Sequence, residues 1–304
     1  MKRTLFLLVN NECDIYCRYC FYTLGYQKRS SKRILPSMAE MCAERIVEMN
    51  FETVILTGGD PLCKRFKNET YILIRALKSC NLKVIINTSA AGMNKKDVEM
   101  ILSLGVDRVD VSIDSYNPDI HNFNRGCYAE AVYAIEKLAE LGNVAVATTT
   151  VVTKENAPSL MRTIAWLYSL GVQDVRIQRA FIPNEKADDT ELIQNEMRSA
   201  VNFLAKPHIS QYIDLTECMW QGQVPPTSAQ CLMGKKYFVC DNDGVITPCF
   251  HRQDIVLGNL FFDSLDFLEI SLGKNNLTNE VIPQCLGRQC VSLFDNMYFW
   301  KEGL

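Results

Sequence analysis

The chain has 304 residues, of which 48% are hydrophobic, so it can form one large domain or two. Its formal net charge is −3 and its Lys and Arg residues are scattered, which argues against a nucleic-acid-binding surface. No stretch approaches the roughly 18 consecutive apolar residues of a membrane span, and we expect a cytoplasmic protein whose 13 cysteines stay reduced.

The N-terminal apolar run over residues 4–10 leads directly into a cluster of cysteines. It is short and lacks the small-residue cleavage site of a signal peptide, which favours a buried strand.

Short β-rich runs then alternate with helical stretches. The residues of each run are mostly apolar rather than alternately apolar and polar, which is typical of parallel strands covered on both faces. Six β-α repeats imply a parallel sheet with right-handed crossovers, as either a partial barrel or an open doubly wound sheet. The predicted strands are 4–10, 53–57, 83–88, 108–112, 144–152 and 174–179, and the predicted helices are 37–50, 68–79, 94–104, 128–141, 157–170 and 189–204.

The pattern changes after residue 206, where prolines interrupt the periodicity. Residues 236–240 and 245–248 predict a hairpin, because Asp241-Asn242-Asp243-Gly244 between them suits a tight turn. A short helix is predicted near residues 263–272. We interpret residues 1–206 as one domain and residues 207–304 as a separate small cysteine-rich domain.

Three cysteines stand together after the first strand, with the spacing C-x3-C-x2-C. Cys13, Cys17 and Cys20 lie so close together in sequence that a metal centre suits them better than a packed core. A [4Fe–4S] cluster takes one ligand per iron, so three local thiolates would leave one iron open. A zinc knuckle that borrows a fourth ligand, or three unrelated core cysteines, are the alternatives from the triplet alone.

The triplet, with Tyr19 just before its last cysteine, resembles the signature of the radical S-adenosylmethionine (SAM) enzymes. In that family the open iron chelates the amino and carboxylate groups of SAM. The second strand ends in Gly58-Gly59-Asp60, which resembles the family's Gly-Gly-Glu motif that holds the SAM amino group. Asp60 replaces the usual Glu, so the charge is kept on a shorter arm.

Further fragments follow in the order of radical SAM enzymes that carry a C-terminal SPASM or Twitch domain. Taken singly, Ser112 and Asp114 suit a helix-capping loop and Arg125 a surface ion pair. The resemblance implies a partial (β/α)6 TIM-like barrel with a small cysteine-rich Twitch-like domain. It also implies contacts from Asn87, Ser112 and Arg125 to the SAM ribose or carboxylate, Tyr19 near the adenine, and Asp114 in the same cofactor-binding set.

A second set of cysteines lies in the C-terminal region and resembles the ligands of a Twitch auxiliary cluster. Cys231, Cys249, Cys285 and Cys290 would close one [4Fe–4S] cluster with no open iron. The last pair is spaced more widely than the usual C-x2-C, and Cys240 is a spare candidate. A structural zinc site with four thiolates is the alternative.

Some cysteines outside these sets are candidate hydrogen-atom donors to a substrate radical. They are Cys63, after the glycine turn, Cys218, before the C-terminal cysteines, and Cys240; ordinary packing is the alternative for each.

The resemblance implies an enzyme with two [4Fe–4S] clusters and SAM, reduced by an external donor such as flavodoxin or ferredoxin. A 5′-deoxyadenosyl radical would remove a hydrogen from a substrate carbon. We expect the substrate to be a ribosomally made peptide that is epimerised, oxidised or cross-linked. The alternative is a dehydrogenase or epimerase of a sugar, aminocyclitol or aminoglycoside in an antibiotic pathway, and a non-catalytic zinc-stapled binding module is the hypothesis of another class. We expect no nucleic-acid or membrane partner.

Overall fold

The computed structural model describes residues 3–20, 23, 32–180, 187–203, 233–250 and 252–273. The strands are β1 (Arg3–Asn10), β2 (Phe51–Gly58), β3 (Lys83–Thr88), β4 (Arg108–Ser112), β5 (Ala145–Val152), β6 (Asp174–Arg179), β7 (Tyr237–Cys240), β8 (Val245–Thr247) and β9 (Gly258–Asn259). The helices are α1 (Ala39–Glu48), α2 (Lys67–Ser79), α3 (Lys95–Ser103), α4 (Pro118–Asn124), α5 (Tyr128–Leu141), α6 (Leu160–Ser169), α7 (Ala187–Phe203) and α8 (Leu265–Gly273).

The strands form one sheet in the order β6-β5-β4-β3-β2-β1-β7-β8-β9. The pairs from β6 to β7 are all parallel, and β8 and β9 add to the edge in antiparallel fashion. The predicted α/β class and the six β-α units are therefore confirmed. Among the helices of the described ranges, none has the length and apolar character that a membrane crossing requires.

Helix α4 was not predicted from the sequence. It has only seven residues, begins after the side-chain cap of Asn117 and carries Pro118 in its first turn. Such a short helix gives no periodic signal, yet it carries two residues of the candidate site described below.

The predicted hairpin forms, but its first strand joins the main sheet. Thr4 lies opposite Tyr237 and Leu7 lies opposite Cys240, so β7 extends the sheet beyond β1. All four residues of β7 are buried, as suits a strand with neighbours on both sides. The C-terminal region thus continues the sheet of the N-terminal one, and the division at residue 206 stays a prediction.

The two faces of the sheet differ in chemistry. One face packs against the helices and holds the main core, with Leu5, Leu7, Val54 and Leu56 among its residues. The other face, called here the inner face, is apolar from β7 to β3 and charged from β4 to β6. Its apolar part comprises Phe6, Leu8, Ile55, Ile85, Met233, Tyr237 and Val239, and its charged part comprises Arg108, Asp110, Asp174 and Arg176.

Candidate functional site

The predicted metal-binding cysteines lie in a loop at the carboxyl end of β1. This cysteine loop, residues 11–20, contains the buried Cys17 and the partly exposed Cys13 and Cys20. The backbone N–H of Cys20 donates to the Cys17 carbonyl at 3.2 Å, which closes a turn between the two ligands. Carboxyl ends of parallel strands are where α/β enzymes gather their active sites.

The glycine pair at the end of β2 holds the cysteine loop at close range. A Cβ on Gly58 would lie 2.3 Å from the Asn10 carbonyl oxygen, and one on Gly59 would lie 2.0 Å from that of Glu12. The backbone N–H of Gly59 donates to Asn10 at 2.9 Å. Gly58 also has a φ of +129°, which favours glycine. The two glycines therefore allow the backbone of the cysteine loop to pack directly against the end of β2.

Both carboxylate oxygens of Asp60 accept hydrogen bonds from protein groups. Oδ1 accepts from the Leu62 N–H at 2.9 Å and the Thr88 hydroxyl at 2.8 Å, and Oδ2 accepts from the N–H and hydroxyl of Ser89. Burial raises the pKa of Asp60, and these hydrogen bonds lower it. A carboxylate offers about four acceptor positions, so none is left for the SAM amino group. Asp60 thereby ties the end of β2 to the end of β3, and its place in the SAM-binding motif stays a prediction.

Asp114, Arg125 and Tyr19 form a buried network beside the cysteine loop. The Tyr19 hydroxyl donates to Oδ2 of Asp114, and Arg125 donates to both carboxylate oxygens, at 3.3 Å each. The Arg125 guanidinium lies 5.5 Å from the centre of the Tyr19 ring. Burial alone would lower the pKa of Arg125, but Asp114 and Tyr19 hold it well above its usual range.

A fourth donor completes the coordination of Asp114: the Val151 N–H at 3.0 Å from Oδ1. With four donors, the fully buried Asp114 side chain has no acceptor position left for a ligand. It contacts the site through Tyr19 and Arg125, and its place in the cofactor-binding set stays a prediction.

His121 supports the same network and was missed as a site residue. Its Nδ1 accepts from the Asp114 N–H at 3.1 Å, so the proton lies on Nε2, which donates to the Gly126 carbonyl at 2.8 Å. Burial lowers the pKa of His121 and keeps the ring neutral. A single histidine carries no spacing signal, and only the cap at Asn117 hinted at the helix that presents it.

Asn87 and Ser112 lie near the ends of β3 and β4, and both are on the inner face. Asn87 is opposite Asp110, and Ser112 is opposite Thr149. The Asn87 side-chain oxygen is buried and has no hydrogen-bond partner among the described residues. An unsatisfied buried acceptor costs about 1–3 kcal/mol, and a ligand hydroxyl at this position would remove that cost.

The candidate hydrogen donors fall in different places. Cys63 is buried behind the glycine turn, and burial raises its thiol pKa to about 11. Cys240 lies in the core on the helix-facing side with Cys42, away from the inner face. Its roles as a hydrogen donor and as a spare ligand stay predictions. Cys218 lies outside the described residues.

Of the four predicted ligands of the second cluster, the structure describes Cys249. It is partly buried, packs against the apolar part of the inner face and precedes Phe250, whose ring lies 5.4 Å from that of Phe6. Cys231, Cys285 and Cys290 lie outside the described residues.

The donor chemistry of the cysteine loop fits an iron–sulfur cluster. Burial is the largest cause of the raised pKa of the Cys17 thiol, and the nearby Arg125 lowers this pKa. The positive charge of a bound metal would therefore stabilise the Cys17 thiolate. Within the described ranges, no three His, Cys, Asp or Glu side chains gather around a single ion position. A cubane cluster does not require such a gathering, because each thiolate binds a different iron.

Comparison with known proteins gives a family match for residues 7–167, to the Radical SAM superfamily. Among curated proteins, a probable GTP 3′,8-cyclase of Sulfurisphaera tokodaii is 21% identical over 284 residues, covering 90% of this chain and 86% of that protein. A GTP 3′,8-cyclase of Mannheimia succiniciproducens is 29% identical over 209 residues, covering 66% of this chain and 58% of that protein.

Two solved structures share the fold. The structure titled native anSMEcpe with bound AdoMet matches with a TM-score of 0.67 and 18% identity, over 90% of this chain and 80% of that one. Streptococcus suis SuiB bound to the precursor peptide SuiA matches with a TM-score of 0.70 and 13% identity, over 91% of this chain and 67% of that one. These likenesses confirm the partial TIM-like barrel.

Proposed function

This chain belongs to the radical SAM superfamily, and within that family we propose that it removes a hydrogen atom from a carbon of a ribosomally made peptide. Membership makes it a radical SAM enzyme that uses SAM, a [4Fe–4S] cluster, a substrate and an external reductant. The observation that supports the site is the cysteine loop, fastened at the carboxyl edge by the glycine pair and by Tyr19.

Cys13, Cys17 and Cys20 would hold the cluster, and the three thiolates leave one iron for SAM. When bound, the cluster and SAM supply the 5′-deoxyadenosyl radical that takes the hydrogen. The protein's part is to hold the ligand and exclude water. Asn87 would offer its unsatisfied side-chain oxygen to a SAM hydroxyl. Ser112, at the end of the neighbouring strand β4, would add a second polar contact.

We propose that residues 207–304 bind an auxiliary [4Fe–4S] cluster in a Twitch-like domain, with residues 1–206 as the radical SAM core. Its ligands would be Cys231, Cys249, Cys285 and Cys290. The position of Cys249 beside the inner face supports this, because a cluster there would lie next to the substrate space. Iron analysis after anaerobic reconstitution tests it: about eight irons per chain support two cubanes, and about four contradict the second.

The peptide substrate is supported by the matched solved structures, one of which holds a precursor peptide. A peptide also suits an inner face that is apolar on one side and charged on the other. A nucleoside triphosphate is the second candidate, favoured by the relatives named GTP 3′,8-cyclase, one of which aligns over 90% of this chain. An antibiotic-pathway sugar or aminocyclitol remains the alternative within small molecules.

Turnover with SAM and dithionite distinguishes these substrates. The reconstituted enzyme is incubated in heavy water with candidate precursor peptides, and in parallel with GTP. Deuterium at a peptide carbon supports epimerisation, with Cys63 or Cys218 as the thiol donor, and loss of two hydrogens supports oxidation or cross-linking. Conversion of GTP without change in any peptide would contradict the peptide proposal and support the second candidate.

A further inference from the structure

Asp114 lies two residues after the end of β4 and is the point where the cysteine loop is tied to the barrel. Its side chain is 0% exposed and receives Tyr19, Arg125 and Val151. Its backbone is fixed as well, because its N–H donates to His121 and its carbonyl accepts from Asn156 at 2.8 Å. The residue is therefore held by hydrogen bonds at both its side chain and its backbone.

The network reaches the cysteine loop at two adjacent residues. Tyr19 stands between Cys17 and Cys20 and bonds to Asp114. The N–H of the preceding residue, Arg18, donates to the Asn124 carbonyl at 3.0 Å, one residue before Arg125. The loop is thus held by the α4–α5 turn and by the end of β4 together.

The same network fixes the charge beside the candidate ligands. Arg125 is almost fully buried, and Asp114 is its counter-ion. Both groups act electrostatically on Cys17, in opposite directions. Removing the negative charge alone would leave the Arg125 cation uncompensated in a buried setting, where charge interactions are strong.

We propose that Asp114 is a positioning residue that holds the cysteine loop in its ligand-ready conformation before the cluster binds and balances the charge of Arg125 beside it. The second half of this proposal rests on the proposed function; the first concerns the metal-free protein alone. Asp114 works through Tyr19 and Arg125 rather than by touching the cofactor.

Two variants and two matched controls test the proposal. Asp114→Asn replaces a double acceptor with an amide that cannot accept at both positions, and Tyr19→Phe removes one hydroxyl only. Asp97, in α3, is likewise a buried carboxylate that is bonded to a tyrosine and a cation. It accepts from the Tyr71 hydroxyl at 2.9 Å and from Lys67 at 2.8 Å. Asp97→Asn and Tyr71→Phe are therefore the controls.

The first measurement uses the full-length metal-free protein. The rate of iodoacetamide alkylation at Cys17, which is 8% exposed, is followed by peptide mass spectrometry. We expect about tenfold faster alkylation in Asp114→Asn and Tyr19→Phe, the effect of losing a charge-assisted hydrogen bond from a locally opening segment. The Asp97→Asn and Tyr71→Phe rates should match the wild type. Equal rates in all five proteins, each shown to be folded by circular dichroism, would overturn the proposal.

The second measurement uses the reconstituted protein. The reduction potential of the SAM-responsive cluster is measured by electron paramagnetic resonance during a redox titration. We expect a higher potential in Asp114→Asn, because Arg125 is uncompensated, and an unchanged potential in Tyr19→Phe, which keeps both charges. An unshifted Asp114→Asn potential would overturn the charge-balancing role. Failure of the wild type to bind a cluster would instead refute the proposed function and leave the alkylation result standing.

Discussion

Gly59→Ala tests how the site is built, because the added methyl group would meet backbone. The new Cβ would lie 2.0 Å from the Glu12 carbonyl oxygen and 2.5 Å from its carbonyl carbon. Ordinary contact begins near 3.4 Å, so the cysteine loop would have to move by about 1.4 Å. Overpacking of this kind costs about 1–3 kcal/mol, and here the displaced backbone carries the candidate ligands. We expect stability to fall by about 3 kcal/mol and iron binding at the loop to be lost.

Urea unfolding and iron content after reconstitution measure the two effects. Gly273→Ala is the matched control, because no atom of the described residues lies within 4 Å of its added Cβ. It should keep its iron and change stability by less than about 1 kcal/mol. A Gly59→Ala protein that binds iron and cleaves SAM like the wild type would refute the account of the glycine pair.

Three further predictions follow from buried groups. Burial lowers the pKa of His121 in the folded protein, so on acidification the unfolded chain binds a proton at this residue at a higher pH than the folded chain does. The stabilising effect is therefore complete above about pH 6.5 and is lost as the pH falls below it. Urea unfolding at pH 7.5 and 5.5 should show lower stability at pH 5.5, and equal stability at the two pH values contradicts the prediction. Cys240→Ser places a hydroxyl in the core and should cost about 1–3 kcal/mol in urea unfolding without changing the iron content; loss of iron would show that Cys240 is a ligand. Asp110→Asn leaves the buried Arg176 short of a counter-ion and should cost about 3 kcal/mol, whereas Asp254→Asn, at an exposed carboxylate, should cost less than about 1 kcal/mol; equal thermal stability of the two variants would contradict the buried network.

The sequence was sufficient for features that depend on local pattern. Apolar runs of five to nine residues predicted the six parallel strands, and chain order placed the three clustered cysteines in the loop after the first of them. Both patterns consist of contiguous residues. Because the cysteines directly follow the first strand, chain order alone was enough to place them at the carboxyl edge of the sheet.

Features that depend on distant pairing were not predictable in this way. β7 pairs with β1 although their residues are more than 200 positions apart in the chain, and no local sequence pattern predicts this pairing. All four residues of β7 are buried, so alternation could not show that Cys240 faces the helices. Motif order likewise could not show that the carboxylates of Asp60 and Asp114 each accept hydrogen bonds from four protein donors.

The central claim is that the cysteine loop carries the cluster at which SAM is cleaved. The most direct measurement is the amount of 5′-deoxyadenosine and methionine formed from SAM by the dithionite-reduced, reconstituted protein. We predict formation of both in the wild type and in Cys80→Ala, which alters a cysteine at the end of α2, and none in Cys17→Ala. No 5′-deoxyadenosine from the iron-loaded wild type, or an unchanged yield in Cys17→Ala, would contradict the account.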